Sequence, residues 1–200
     1  LFPANPHEAF GMAVQAFDLA DRLQTPVFVA TDLDIGMNDW MVKRLEWDDS
    51  YRPDRGKVLD AAALEKLKKF SRYLDVDGDG IAARTLPGVG GKGAYFVRGS
   101  GHDKHAAYTE DSDAYKEVVD RLKRKFAHAA TLVPAPAFTR RDGAEIGLVT
   151  LGGCDAAVRE AADKLEARGL AVDVMRIRGF PFGEDVREFL EAYDDVFVIE

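Results

Sequence analysis

The pattern of apolar and polar positions is most regular in the last part of the chain, where short apolar runs alternate with stretches of helical period. The apolar runs are IGLVTLG, LAVDVMRI and DVFVIE. Between them, apolar side chains recur every three to four residues, as on the inward face of a helix. This order predicts a parallel βαβαβ sheet with right-handed crossovers. The helix positions expected to face inward are Val158, Ala161, Ala162, Leu165, Val186, Phe189, Leu190 and Tyr193.

A similar pattern opens the chain. Residues 5 to 23 predict a helix with Asn5 as N-cap, Pro6 as its first residue and Glu8 placed to complete a capping box. The run PVFVATDLD that follows predicts a strand buried on both faces. Because an α/β domain seldom begins with a helix that leads into a strand, we expect residues 1–35 to be the last piece of a longer domain. The positions expected on one helix face are Ala9, Met12, Ala13, Ala16 and Ala20.

The middle of the chain, residues 36–133, shows no sustained period and predicts a long irregular linker that contains two helices. Asp60 is placed to cap the first, short helix. The second is predicted from about Ser112 to Ala130, with the basic residues of RLKRK on the solvent side. The prolines of VPAPAFTRRDG mark a boundary, so residues 134–200 are expected to form a separate domain. The apolar positions expected to face inward are Leu64, Leu67, Phe70, Val118, Val119, Leu122 and Phe126.

Composition limits the class of function. The chain of 200 residues carries 27 Lys and Arg against 35 Asp and Glu, a net charge of -8, which disfavours nucleic acid as a partner. No apolar run approaches the roughly 20 residues of a membrane helix, and no secretion signal opens the chain, so we expect no membrane partner and a cytoplasmic location. Cys154 is the single cysteine, so an internal disulfide is excluded and any iron-sulfur cluster must lie on another chain.

The segment LDVDGDGIAARTLPG raises the question of a calcium site. Asp75, Asp77, Asp79 and Gly80 match the opening positions of an EF-hand loop. The closing position, which should be a bidentate Glu, falls on Leu86. The pattern therefore favours a tight polar turn, and a calcium-dependent binding or assembly module is the alternative.

The densest polar segment is RGSGHDKHAAYTED, where two glycines precede His102 and Asp103. A zinc site is one interpretation of its two histidines, but HxxH in a loop is weak support for it. A hydrogen-bonded pair of His102 and Asp103 that lines a cleft is the better functional hypothesis. The turn TLGGCD lacks the spacing of a nucleotide loop, and we interpret it as a tight turn between a strand and a helix.

Four motifs in fixed order carry a family resemblance that spans essentially the whole chain. They are NPHEAFGMAVQAFDLADRLQTPVFVATDLDIGMNDW, GDGIAARTLPG, FVRGSGHDKHAAYTEDSDAY and RLKRKFAHAATLVPAP. The series resembles the alpha subunit of 2-oxoacid:ferredoxin oxidoreductases, and most closely the 2-oxoglutarate branch. Two loops depart from the pattern of relatives. Ala82 and Ala83 stand where Pro-Tyr is frequent, and Ala106 stands where glycine is common.

The resemblance implies an enzyme that oxidatively decarboxylates a 2-oxoacid, most specifically 2-oxoglutarate, to its acyl-CoA and reduces ferredoxin. It implies thiamine diphosphate with Mg in the whole complex, coenzyme A as cosubstrate, and a beta subunit that carries the iron-sulfur cluster. Residues 1–35 would end the pyrimidine-side thiamine domain, and residues 134–200 would form most of a domain similar to the C-terminal domain of transketolase.

The family's main catalytic segment would precede Leu1, and the chain would continue beyond Glu200. No catalytic, cofactor-binding or metal-binding residue is therefore assigned to residues 1–200. The residues that the resemblance places near the substrate are Gly101, His102, Asp103 and Arg84. The DVDGDG turn would act as a rigid corner that brings Arg84 toward the cleft.

Overall fold

The computed structural model describes all residues from 1 to 200. Contacts divide the chain into two compact units. The sheet unit comprises Leu1–Leu19, Pro26–Arg52 and Ala130–Glu200, and the loop unit comprises Ala20–Thr25 and Pro53–Ala129. The elements are α1 (Pro6–Leu23), α2 (Leu33–Met37), α3 (Ala61–Glu65), α4 (Ser112–Ala129), β1 (Ala137–Thr139), β2 (Ile146–Thr150), α5 (Asp155–Glu166), β3 (Val172–Arg176), α6 (Glu184–Glu191) and β4 (Asp195–Ile199), with 3-10 turns at Gly91–Gly93 and Gly152–Cys154.

The sheet has the strand order β1-β3-β2-β4. β2 pairs in parallel with β3 on one side and with β4 on the other, so that Leu148 lies opposite both Val174 and Phe197. All five residues of β3 are buried, as expected for a strand that is covered on both faces. The predicted βαβαβ arrangement is confirmed.

Helices cover both faces of this sheet. On one face, Val158 and Ala162 of α5 belong to a cluster with Leu148 and Val174. On the other face, Val186 and Phe189 of α6 pack with neighbouring positions of the same strands. Successive strand residues point to opposite faces, so each strand contributes to both cores. Ala161 and Leu190, which the helical period predicted to face inward, are exposed.

One strand was missed. β1 follows Pro134 and Pro136 and pairs antiparallel with β3, with Phe138 opposite Met175. Its three residues are too few for an alternating pattern, and the prolines before it indicated only a boundary. The sheet is therefore mixed, with one antiparallel strand on an otherwise parallel set.

A carboxylate lies within the sheet. Asp173 of β3 is buried, and it accepts hydrogen bonds from Tyr193 Oη at 2.5 Å, Arg140 Nη1 at 2.9 Å and the Arg141 backbone N–H at 2.7 Å. Burial alone would raise the pKa of Asp173, but these bonds from Tyr193 and Arg140 lower it below its ordinary value. The carboxylate thus stays ionised and ties β3 to the two arginines that follow β1.

The predicted first helix is confirmed as α1. Asn5 Oδ1 accepts the Glu8 backbone N–H at 2.9 Å, as an N-cap does, while Glu8 accepts the N–H of Ala4. The predicted strand PVFVATDLD is wrong. Between residues 26 and 31, the backbone bonds are those to Leu1, through Phe28 O and Ala30 N–H, and Phe28 is 79% exposed. A strand needs a ladder of such bonds, which a single residue does not supply. The helix positions that are buried are Met12, Ala16, Leu19 and Leu23.

In the loop unit, Asp60 caps α3 as predicted, since its Oδ1 accepts the Ala63 backbone N–H at 2.7 Å. The orientation predicted for α4 is wrong in part, although Val118, Val119 and Leu122 are half-buried as predicted. Arg121 and Lys125 are buried, and Phe126 is exposed. The helix therefore presents two of its cations to the interior of the loop unit. The predicted domain limits at 35 and 133, which rest on the residue pattern and on the family resemblance, stay a prediction.

Candidate functional site

The segment from Gly101 to Thr109 forms a narrow loop closed by backbone hydrogen bonds. The N–H of Thr109 donates to Gly101 O at 3.2 Å, and the N–H of Asp103 donates to Ala107 O at 2.9 Å. A Cβ at Gly101 would lie 2.7 Å from Thr109 O, so the close approach requires glycine. Ala106 adopts a φ of 70°, which explains why glycine suits this position.

Asp103 is fixed by the loop that it belongs to. Its Oδ1 accepts the backbone N–H of His105 at 2.8 Å and that of Ala107 at 3.0 Å. Burial acts to raise the pKa of Asp103, but the two N–H bonds lower it overall. An ionised carboxylate is a poor proton donor, so the chemistry open to Asp103 is charge and hydrogen bonding.

His102 does not pair with the Asp103 carboxylate, contrary to the hypothesis. Its Nδ1 lies 3.1 Å from the carbonyl oxygen of Asp103, and its ring stacks on Tyr73 at 4.1 Å between centroids. His105 Nδ1 lies 2.9 Å from Ser71 Oγ. The two histidines therefore have separate partners, and the group of side chains close enough to share a metal ion is Asp75, Asp77 and Asp79.

Arg84 lies elsewhere in the loop unit. Its Nη2 is 2.9 Å from Asp21 Oδ1 and donates to Arg55 O at 3.1 Å, and its backbone bridges to Val58. The hydrogen bond from Arg55 lowers the pKa of Asp21, and together with the charge of Arg84 it outweighs burial, which acts to raise this pKa. The contacts of Arg84 are thus with Asp21, Arg55 and Val58, and the structure does not bring it against Gly101, His102 or Asp103.

The turn at Asp75–Asp79 carries its own cation. The Lys57 ammonium donates to Asp77 Oδ1 and Asp79 Oδ1 at 2.7 Å each, and to Ile81 O at 2.9 Å. Burial would lower the pKa of Lys57, but these two carboxylates raise it. A calcium ion at this place would have to displace Lys57. The geometry therefore favours the interpretation as a polar turn.

Asp75, the first aspartate of the turn, connects the turn to α4. Asp75 accepts the N–H of Gly78 at 2.9 Å and of Gly80 at 3.1 Å, and Arg124 Nη2 lies 3.1 Å from Asp75 Oδ2. A Cβ at Gly80 would lie 2.2 Å from the backbone N of Lys125. The turn is thus a rigid corner packed directly on the helix backbone.

Sequence reasoning missed a cluster of cations beneath this turn. Arg121 Nη1 donates to Gly80 O at 2.8 Å, and Arg72 Nη2 donates to Gln24 Oε1 at 2.6 Å. Lys125 donates to Thr25 Oγ1. Burial, and then the neighbouring charges of Arg121 and Arg72, lower the pKa of Lys125. The available signal was the spacing of Val118, Arg121, Leu122 and Lys125, which is that of one helix face.

In the sheet unit, the glycine turn after β2 is filled by a carboxylate of the chain itself. Asp32 Oδ2 accepts the Gly153 N–H at 2.6 Å, and Asp32 Oδ1 accepts the Ile35 N–H at 2.8 Å. These two N–H groups lower the pKa of Asp32. The place where a phosphate could bind is therefore occupied, which agrees with the interpretation as a tight turn.

Comparison with known proteins identifies the class. The chain is 30% identical over 199 residues to "2-oxoacid:ferredoxin oxidoreductase 2, subunit alpha" of Aeropyrum pernix, a match that covers 96% of this chain and 30% of the relative. It is 23% identical over 199 residues to the "2-oxoacid:ferredoxin oxidoreductase subunit alpha" of Saccharolobus solfataricus, again covering 96% and 30%. It is 24% identical over 194 residues to "Ketoisovalerate oxidoreductase subunit VorB" of Methanothermobacter thermautotrophicus, covering 96% and 45%.

A solved structure shows the same fold. It is the 2-oxoglutarate:ferredoxin oxidoreductase of Magnetococcus marinus with 2-oxoglutarate, coenzyme A and succinyl-CoA bound, and the match has a TM-score of 0.66 and 21% identity over 90% of this chain and 31% of that chain. No family model matches the sequence.

Among the helices, none combines the length and apolar character needed to cross a membrane.

The family resemblance is confirmed: along almost its whole length, this chain is a relative of oxidoreductase alpha subunits. The particular relatives are the alpha subunits of 2-oxoacid:ferredoxin oxidoreductases, which are enzyme subunits. The chain spans less than a third of the length of the first two relatives.

Proposed function

We propose that this chain acts as part of the alpha subunit of a 2-oxoacid:ferredoxin oxidoreductase, which converts a 2-oxoacid, most specifically 2-oxoglutarate, and coenzyme A to an acyl-CoA and reduces ferredoxin. The observation that carries the proposal is the similarity to several such alpha subunits over 96% of the chain. The partners would be a beta subunit and ferredoxin, and the location would be cytoplasmic. Residues 1–35 and 134–200 would be the end of the thiamine-type domain and the transketolase-like domain.

The cofactors of such a complex would be thiamine diphosphate with Mg and an iron-sulfur cluster on the beta subunit. Thiamine diphosphate supplies an electron sink for decarboxylation. The glycine turn at Gly153 does not fit its diphosphate, because Asp32 already accepts the N–H that would bind it. The single cysteine does not fit a cluster. We therefore assign neither group to a residue of this chain.

The role proposed for the loop unit is to shape the site for the 2-oxoacid. Gly101, His102 and Asp103 lie in a loop held rigid by its own backbone bonds, and a rigid loop can discriminate between substrates by shape and charge. Arg84 has the fork of donors that suits a carboxylate, and its present partner is the carboxylate of Asp21. A second carboxylate, such as the distal one of 2-oxoglutarate, would compete for the same donors.

The calcium-dependent module has less support. Its carboxylates lie within 4.8 Å of one another, but Lys57 already neutralises two of them.

The test of the proposed function is to co-express the complete gene product with a beta-type subunit from the same source and to measure viologen reduction. Pyruvate, 2-oxoglutarate and a branched 2-oxoacid are each supplied with coenzyme A. We expect reduction that depends on coenzyme A and is fastest with 2-oxoglutarate. Absence of activity with every 2-oxoacid, in a complex that contains its cofactors, would reject the proposal.

Two variants separate a substrate role of Arg84 from its structural ion pair. Arg84→Gln should raise KM for 2-oxoglutarate by about tenfold more than for pyruvate, which corresponds to one charge-assisted hydrogen bond. Asp21→Asn weakens the same ion pair but leaves Arg84 in place, so it should keep the preference. Equal effects of the two variants on the preference would show that Arg84 serves structure alone.

A further inference from the structure

The loop unit contains a small cavity beside α4, next to the start of the turn at Asp75–Asp79. Its volume is about 60 Å³, and it is lined by residues 73–75, Lys104 and four residues of α4. Because a water molecule takes up about 30 Å³ in the liquid, the cavity has room for one small ion. It has no room for a diphosphate or a nucleotide, since sites for molecules of that size have volumes on the order of 300 Å³ or more.

The charged side chains that line the cavity do not balance. Three are cations and two are carboxylates. Asp75 Oδ2 accepts hydrogen bonds from Arg124 Nε at 3.2 Å and from Arg124 Nη2 at 3.1 Å. Lys104 Nζ lies 3.5 Å from Glu117 Oε1. Each carboxylate therefore already has a cation of the lining as its partner, and the positive charge that is left over belongs to Arg121.

Arg121 is buried without a counter-ion. It is 9% exposed, and its Nη1 donates to the carbonyl oxygen of Gly80 at 2.8 Å. Its Nε is buried and has no hydrogen-bond partner. It forms no ion pair, in contrast to Arg124 three residues later. The ring of Tyr73, 5.7 Å from the guanidinium carbon, compensates the charge only in part. A buried charge of this kind is costly unless an ion of opposite sign accompanies it.

The neighbouring side chains increase this cost. Arg72 and Lys125 also lie in the loop unit close to Arg121, and both donate to neutral oxygens. Burial, and then the charge of Arg72, lower the pKa of Arg121. The Asp75 carboxylate acts in the opposite direction, but it is already bonded by two backbone N–H groups and by another arginine. The chain therefore supplies more buried positive charge here than it neutralises.

We propose that this cavity binds one small monovalent anion, of the size of chloride or nitrate, with Arg121 as its main charge partner. One negative charge balances the surplus of the lining, and a guanidinium, which is weakly hydrated, suits a buried ion pair. The anion would connect α4 to Tyr73, and the ring of His102 stacks on Tyr73 at 4.1 Å between centroids. Anion binding would therefore stabilise the support of the loop around His102. The inference concerns the loop unit alone and does not require the proposed function.

The test is amide hydrogen exchange of the complete gene product, followed at residues 73–81 and along α4. Exchange is compared in sodium chloride and in sodium gluconate, each at about 0.1 M, so that charge screening is equal and the second anion is too large for the cavity. We expect about tenfold slower exchange in chloride, as for a Kd of about 10 mM, because an ion that binds only the folded state protects it. Nitrate should give a similar protection, and pyrophosphate should give none beyond that of gluconate.

Three variants locate the effect. Arg121→Met removes the surplus charge and should abolish the difference between the two salts. Val118→Phe fills the cavity without changing a charge and should abolish it as well. The matched control is Lys125→Met, which removes an equally buried cation of the same helix that does not line the cavity. It should keep the difference. Each variant is compared with itself in the two salts, so a general loss of stability cancels, and Val118→Phe decides where Arg121→Met does not fold.

Anomalous diffraction from crystals soaked in sodium bromide shows where the anion lies. A bromide peak within the cavity would support the proposal, and bromide peaks at other places alone would overturn it. Equal protection of the parent protein in chloride and gluconate would also overturn it. So would a loss of the chloride effect in Lys125→Met as complete as in Val118→Phe, since that would indicate general screening of the buried cations. Viologen reduction is measured independently, so the proposed function is judged separately.

Discussion

The interiors of the two units are built from different kinds of residues. In the sheet unit, β2 and β3 are sandwiched between two apolar clusters that include Val174 and Phe189. In the loop unit, the buried residues include Leu64 and Ile81 but also Arg121 and Lys125. The first interior is made by area removed from water, and the second depends on turns and cations in specific positions.

This difference predicts which substitutions should lower the stability of each unit. An apolar core loses stability in proportion to the volume removed. A unit built from turns is sensitive to the backbone conformation of single residues and to the charges that it buries. Three predictions test the contrast, each against a matched control.

The largest effect is expected in the sheet unit. Phe189 is 1% exposed, so Phe189→Ala should lower the free energy of opening of β2 and β3 by about 4 kcal/mol, because it leaves a cavity between α6 and the sheet. Leu190→Ala, on the same helix at 44% exposure, should cost under about 1 kcal/mol. Amide hydrogen exchange of the two strands measures both. Similar losses for the two variants would mean that this face of the sheet is not the core.

A smaller effect is expected at the turn of the loop unit. Gly78 and Gly80 both have positive φ, at 87° and 81°, but only a Cβ at Gly80 would meet backbone, 2.2 Å from Lys125 N. Gly80→Ala should therefore cost about 3 kcal/mol, from strain and overpacking together. Gly78→Ala should cost about 1 kcal/mol, from strain alone.

Limited proteolysis between residues 57 and 84 compares these two glycine variants with the parent protein. Faster cleavage of Gly78→Ala than of Gly80→Ala would contradict the direct packing of the turn on α4.

The smallest effect is a gain. Lys125 is buried beside Arg121 and Arg72, and its pKa is lowered first by burial and then by these charges. Lys125→Met should raise the free energy of unfolding at pH 7 by about 1 kcal/mol, because it removes a buried charge without a carboxylate partner. Lys123→Met, at a position where the side chain is 75% exposed, should change little.

The pH dependence of Lys125 has a definite sign. Between the lowered pKa of the folded state and the ordinary value near 10.5, the unfolded chain binds more protons, so the parent protein should gain stability as pH rises through this window. In Lys125→Met this gain should be missing, and the advantage of the variant should shrink toward pH 10. Urea unfolding followed by circular dichroism at pH 7 and pH 10 measures it. A loss of stability in Lys125→Met at pH 7 would refute the buried-charge account.

The elements with long periodic patterns could be predicted from the sequence. The βαβαβ order, the helix caps at Asn5 and Asp60 and the family resemblance all follow from local residue patterns. The strand PVFVATDLD failed because a strand needs hydrogen-bonded neighbours, and its sequence does not reveal whether they are present. β1 was missed because three residues beside prolines carry no period.

The contacts of the candidate site residues could not be predicted from the sequence. The two glycines before His102 drew attention to this loop, but its closure at Gly101 against Thr109 O was not predicted. The hydrogen-bond partners of the charged side chains could not be predicted from the sequence, because Lys57 and Asp32 each bind a turn that is distant along the chain. For α4, apolarity predicted the half-buried positions Val119 and Leu122, but it could not indicate that Arg121 and Lys125 are buried positions of the helix.

The two edge strands of the sheet, β1 and β4, differ in how readily a further strand could pair with them. On one side, β1 is three residues long and follows two prolines, which lack the N–H that a further strand would need. On the other side, β4 has neither proline nor lysine, and Phe197 and Val198 are 55% and 65% exposed. The β4 edge therefore has the longer row of backbone donors and acceptors open to an additional strand, from this polypeptide or another.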